Sequence, residues 1–122
     1  MKYCWTTVNV TDMQKSLAFY EGLLGLKPTR RVQPGPGRDI VFLGEGETQV
    51  ELICDASNPS PSFGRDISMG FVVDSLESFS GILKKHGITV HSGPFQPNPS
   101  IRFMYILDPD GVKIQLVENI KQ

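Results

Sequence analysis

Cysteine and histidine are scarce in this chain: Cys4 and Cys54 lie outside any CxxC arrangement, and the only histidines are His86 and His91. Two cysteines cannot make a disulfide scaffold, so they read as reduced thiols of a cytoplasmic protein, with a single bridge as the alternative. No apolar run approaches the ~20 residues of a membrane span. The N-terminus MKYCWTTVNV has a polar, strand-like texture in place of a signal's charged head and apolar middle. A soluble, unprocessed chain with no membrane partner is expected. Excess charge is missing as well, since 12 Lys+Arg face 13 Asp+Glu for a net charge of −1, which leaves no electrostatic footprint for nucleic acid. No Ser-His-Asp constellation, phosphate-cradling Gly loop or dinucleotide fingerprint is present. Small molecules and protein partners remain.

The 122 residues are a usual single-domain length, and 39% of them are hydrophobic, enough for a real core. Residues 2–10, KYCWTTVNV, are rich in aromatic and β-branched types and predict a strand. In TDMQKSLAFYEGLLG the period changes: Met13, Leu17, Tyr20 and Leu24 share a helical face, Thr11 and Gln14 have capping-box spacing, and Gly25 suits a C-terminal stop. LKPTRRVQ, RDIVFLG and TQVELIC then read as three strands, joined by PGPG and EGE turns.

Residues 55–64, DASNPSPSFG, form a linker, and beyond it the order repeats. DISMGFVV is a strand. SLESFSGILKKHG is a helix with Leu76, Phe79, Ile82 and Leu83 on its apolar face, Asp74 placed to cap it and Gly87 to end it. The strand ITVHSG, the loop PFQPNPS, the strand IRFMYIL, the turn DPDG and the strand VKIQLVEN complete the second unit. WTTVNVTDMQ overlies SMGFVVDSLE at an offset of 63, and FLGEGETQVELI overlies ILDPDGVKIQLV at an offset of 64. The duplication sets Trp5 against Ser68 and Glu51 against Gln115. The organisation is an α+β fold of two βαβββ modules, 1–54 and 65–122.

Each helix must bury its stripe on one face of its sheet. That face takes Val8, Val10, Val50, Leu52, Phe71, Val73, Ile114 and Leu116. By alternation Trp5, Thr7, Glu51, Ser68, Lys113 and Gln115 point the other way, and two such sheets side by side would turn these second faces toward a shared cleft.

The double βαβββ unit, the stretches VNVTDMQKSLAFYEGLLGLKP and FVVDSLES, and the ending DPDGVKIQLVE resemble the glyoxalase, bleomycin-resistance and extradiol-dioxygenase superfamily, the vicinal oxygen chelate family. The resemblance covers nearly the whole chain. It implies a curved mixed sheet around a cleft, with a divalent metal held by the first and last strands of each half, mostly through His, Glu or Gln. Carried over, the four positions are Trp5, Glu51, Ser68 and Gln115, of which Glu51 alone matches well. Indole offers no lone pair, a serine hydroxyl is a weak donor and the Gln115 amide is uncharged, so no metal is favoured as cofactor. A slip of two residues would replace Ser68 by Asp66 and give a Glu51, Asp66, Gln115 oxygen set for a divalent ion.

Glu51 thus has two readings, a solvated strand residue or a cleft carboxylate acting as acceptor or general base, and the repeat together with the resemblance favours the second. Trp5 is either core filler or a flat wall for a planar ligand. His86, in a last helical turn, and His91 occupy no ligand position, and DPDG is a hairpin turn, not a calcium loop. Arg30, Arg31, Arg38 and Arg102 flank the cleft strands, and one or two could meet an anionic ligand. The Pro- and Gly-rich loops QPGPGR and SGPFQPNPS suit cleft rims. Met104 and Tyr105 complete a part-aromatic, part-acidic lining.

The expected function is binding or sequestration of a small organic ligand, as in a resistance protein, with Glu51 the surviving carboxylate of a degenerate metal site and Trp5, Thr7, Ser68, Arg102, Tyr105 and Gln115 as ligand contacts. The alternative is a metal-dependent lyase or isomerase of the glyoxalase I kind, with Glu51 as ligand and base. A third reading, a purely structural domain, would have its cleft filled by its own side chains. The resemblance also implies a homodimer.

Overall fold

The computed structural model describes residues 1–121, which fall into two compact units, Met1–Ser62 and a second from Phe63 onward. Each is a βαβββ module holding one four-stranded mixed sheet, so the class is α+β. No helix among the described residues is long and apolar enough to cross a membrane.

In the first unit, strand β1 (Trp5–Asn9) leads into helix α1 (Met13–Leu17), followed by β2 (Pro28–Gly35), β3 (Arg38–Leu43) and β4 (Gln49–Asp55). The sheet order is β1-β4-β3-β2, with β1 parallel to β4 and the other pairs antiparallel. The helix starts one residue later than the capping-box spacing predicts. Asp12, not Thr11, is the N-cap, in extended conformation with its carboxylate accepting the Lys15 N–H at 3.1 Å. Nor does it run as three regular turns. From Ala18 to Leu23 the coil widens, with the Leu24 N–H reaching back five residues to the Phe19 carbonyl. The widening rotates the later residues, so Met13, Ser16, Phe19, Tyr20 and Leu23 are buried while Leu17 and Leu24 are only half-buried. Gly25, at φ 75°, ends the segment as expected.

The second unit contains β5 (Ser68–Val72), α2 (Leu76–Lys85), β6 (Ser92–Asn98), β7 (Ile101–Leu107) and β8 (Lys113–Asn119). Its sheet order, β5-β8-β7-β6, repeats the first, with β5 parallel to β8. The N-cap of α2 is Ser75 in place of Asp74: the Ser75 hydroxyl accepts the Ser78 N–H, and the Glu118 carboxylate on β8 accepts the Leu76 N–H at 2.8 Å. Gly87, at φ 68°, closes the helix. Its N–H donates to the Lys84 carbonyl and that of Ile88 to the Leu83 carbonyl, the paired bonds of a Schellman ending. Leu76 and Leu83 are buried, but Ile82, expected on the same face, is 40% exposed.

The largest departure is β6. The pattern predicted a strand at 88–93 and a loop after it, whereas the strand is Ser92–Asn98 and takes in most of PFQPNPS. Pro94 and Pro97 lack the N–H that an inner strand must donate, but β6 lies at the edge and pairs with β7 only at Ser92↔Tyr105, Phe95↔Phe103 and Asn98↔Ile101, with register shifts between. The DPDG turn forms as predicted. Asp108 is buried, and its Oδ1 accepts the N–H groups of Asp110 and Val112.

Val8, Val10, Val50 and Leu52 in the first unit, and Ile114 and Leu116 in the second, are buried on the helix-facing side as the alternation predicts, and Met104 and Ile106 join them in the second core. Phe71 and Val73 on the same side are half-buried.

Candidate functional site

Strand register places the candidate residues in rows on the face of each sheet away from its helix. In the first unit Thr7 partners Glu51, Glu51 partners Phe42, and Phe42 partners Arg30, so one row crosses all four strands. The Thr7 hydroxyl donates to Glu51 Oε1 at 2.5 Å, and the Arg30 guanidinium lies over the Phe42 ring at 4.3 Å from its centroid. Trp5, one pleat further along β1, is 42% exposed and meets Phe42 edge-on at 5.2 Å between centroids. Its neighbour on β4 is Gln49, which donates to the Thr29 hydroxyl and the Gly44 carbonyl. Phe42 is buried although it belongs to this face, beneath an indole edge and a guanidinium.

In the second unit the matching row is Gly70, Gln115, Tyr105 and Ser92. Gly70 brings no side chain, so the Gln115 carboxamide lies beside bare backbone, and its Nε2 donates a long bond, 3.4 Å, to the Tyr105 hydroxyl. One row away are Ser68, Lys113 and Leu107, with the Lys113 ammonium 4.3 Å from the Tyr105 ring centroid. The row on the other side carries Val72, Val117, Phe103 and Phe95. Phe95, Phe103 and Tyr105 pack together, with centroids 5.6 to 6.5 Å apart.

The candidate residues are therefore gathered on two faces, with three exceptions. Arg102 lies three residues before Tyr105, an odd separation in a strand, and so points to the opposite side of β7, where its cross-strand partner is Glu118 and its neighbours Met104 and Ile106 are core. The expectation of Arg102 as a ligand contact beside Tyr105 and Gln115 is corrected on that ground, and Met104 as a lining residue with it. Asp66 lies in an exposed turn before β5 begins, and it is Ser68 that enters the sheet opposite Lys113. Of the other arginines, Arg31 is bound through two nitrogens to Asp39, whose hydrogen bonds hold its guanidinium pKa above the usual value, and Arg38 pairs with Asp55 at 3.7 Å. Arg30 makes no ion pair among the described residues.

Neither face carries the donors that a divalent ion asks for. The first offers one carboxylate, Glu51, already bonded by Thr7, and an indole at the first-strand position. The second offers a neutral hydroxyl and a neutral amide next to a cationic lysine. No group of three His, Cys, Asp or Glu side chains suited to a metal is found among the described residues. The residues present do not fit a resident divalent metal.

Sequence reasoning reached Trp5, Thr7, Glu51, Lys113 and Gln115 through alternation. It missed Phe42, Phe95 and Phe103, whose places depend on hairpin register. The signal for Phe42 was the short EGE connection, which determines which β3 residue lies across from Glu51.

The profile of the Glyoxalase/Bleomycin resistance protein/Dioxygenase superfamily matches residues 2–116, and the chain belongs to that superfamily. It is 29% identical over 126 residues to the lactoylglutathione lyase of Salmonella typhimurium, covering 97% of this chain and 93% of the relative. Among solved structures, a glyoxalase family protein from Bacillus cereus superposes with a TM-score of 0.85 at 19% identity, covering 99% of this chain and 95% of that one. An antibiotic-binding protein from a Streptomyces species superposes with a TM-score of 0.76 at 22% identity, covering 98% and 97%.

Proposed function

We propose that this protein binds a small organic molecule through the open faces of its sheets, in sequestration or resistance, and that its ancestral metal site has degenerated. The observation that carries this reading is the half-exposed Trp5 indole, standing at the first-strand ligand position edge-on to Phe42 and beside the Thr7–Glu51 pair. An indole there holds a planar ligand by stacking and cannot hold a metal. Glu51 accepts from a ligand donor, Thr7 fixes the carboxylate, and Ser68, Tyr105 and Gln115 supply hydroxyl and amide groups on the second face. A homodimer in the cytoplasm is part of the proposal. The fold does not decide the function, since a lyase and an antibiotic-binding protein share it.

A second reading is a glyoxalase-type lyase, favoured by the 29% identity to lactoylglutathione lyase along nearly the whole chain. A thermal-shift series separates the two. Chelator-stripped protein is heated with nickel, zinc, manganese, cobalt or iron(II), beside Glu51→Ala, because a ligand of the native state raises the midpoint by mass action. The binder predicts no metal-specific rise. A rise that disappears in Glu51→Ala overturns the metal-free reading and makes the lyase the leading one.

A further inference from the structure

The charge on the open face of the second sheet identifies the class of ligand it takes. Along β5 this face presents Ser68, Gly70 and Val72, along β8 Lys113, Gln115, Val117 and Asn119, along β7 Ile101, Phe103, Tyr105 and Leu107, and along β6 Ser92, Phe95 and Asn98. Acidic side chains are absent from these strand positions, and Lys113 is their one cation. Lys113 is half-buried, sits over the Tyr105 ring, and makes no ion pair among the described residues. An ammonium on an aromatic face keeps its charge unneutralised and its N–H donors free on the side away from the ring. Nearby donors point to the same purpose: the Ser68 hydroxyl directly across on β5, and the second N–H of the Gln115 amide, whose first goes to Tyr105. Beside them the face carries apolar side chains, with Phe95 45% exposed and Val72 71% exposed, and the polar Ser92, Asn98 and Asn119 are uncharged.

We propose that this face selects an aromatic carboxylate, whose ring lies on the Phe95–Phe103–Tyr105 cluster and whose carboxylate is held by Lys113 with Ser68 and Gln115. The assignment rests on the small-molecule binding proposed above and adds the ligand's charge to it. A cation would face an uncompensated ammonium here, and a neutral isostere would leave that ammonium unpaired beneath it. Lys113 belongs to none of the four metal-ligand positions, so it acts as a specificity-determining residue in its own right.

Three molecules of one shape form the test: naphthoate, its neutral amide naphthamide, and the cation naphthylmethylamine, each titrated calorimetrically into the wild-type chain, Lys113→Met and Lys113→Arg. The wild type is expected to bind naphthoate roughly tenfold more tightly than naphthamide, the worth of one partly exposed charge-assisted bond, and the cation most weakly. In Lys113→Met the two affinities converge to within about twofold while naphthamide binding persists, which also certifies a folded site, and Lys113→Arg keeps the preference. Equal binding of naphthoate and naphthamide by the wild type overturns the charge assignment and leaves the small-molecule reading in place. Absence of binding by all three overturns both.

Discussion

The first amide of α2 is held by a side chain from the far end of its module, and this bond sets a measurable quantity. Glu118 on β8 accepts the Leu76 N–H at 2.8 Å in a half-buried setting, 42 positions away along the chain. A carboxylate there satisfies one of the helix's unbonded donors and meets the positive end of the helix dipole. Hydrogen bonds to charged groups contribute about 1.5 to 3 kcal/mol, and partial exposure puts this one near the lower limit. Glu118→Ala should therefore cost about 1.5 kcal/mol, or roughly 5 °C in midpoint for a chain of this length. Glu118→Gln keeps an acceptor but loses the charge, and should cost about half as much. Urea unfolding followed by circular dichroism gives the free energies, and amide exchange read at Leu76 gives the local effect, with protection falling at the start of α2 before the rest of the helix. Wild-type stability in Glu118→Ala, with unchanged exchange at Leu76, would refute the assignment of this bond as the tie between strand and helix.

Two further outcomes can be checked. The Ser16 hydroxyl is fully buried on α1 without a partner among the described residues, so Ser16→Ala should stabilise the chain by about 1 kcal/mol, read as a higher urea midpoint. The Asp55 pKa is held below its usual value, first by the Ser57 N–H, then by the Ser57 hydroxyl, with a smaller contribution from Arg38 and with desolvation opposing. A depressed folded pKa gives stability that is fully present above the unfolded value and lost as pH falls through the folded one, so Asp55→Asn should flatten the acid limb of a stability–pH profile below about pH 4.

Much of this architecture was legible in the residues. Alternation placed Glu51 and Gln115 on one side of their strands and Leu52 and Leu116 on the other, and the glycines at 25 and 87 marked helix ends because the left-handed conformation found there is cheap only without a Cβ. What failed depended on the tertiary setting. The prolines of PFQPNPS suggested a loop because sequence does not reveal that β6 is an edge. The wide turn of α1 exchanged Leu24 for Phe19 and Leu23 on the buried side, a change of helical pitch to which a fixed period of 3.6 is blind. Arg102 is expected at the cleft because its strand flanks it, but its odd separation from Tyr105 along β7 puts it on the opposite face.

Because β1 meets β4 in the same register as β5 meets β8, the two modules share a coordinate system in which any side-chain arrangement in one can be written into the other. Thr7 and Glu51 map onto Gly70 and Gln115. A Cβ added at Gly70 would meet Gln115 Oε1 at 3.5 Å, an ordinary contact, so the backbone there already accepts a side chain. Gly70→Thr with Gln115→Glu would copy the hydroxyl–carboxylate pair into the second sheet. A duplicated frame of this kind lets one half lose or regain a functional group while the other stays unchanged, and the asymmetry between a first face that keeps the Glu51 carboxylate and a second that has a neutral amide in its place records that freedom in this chain.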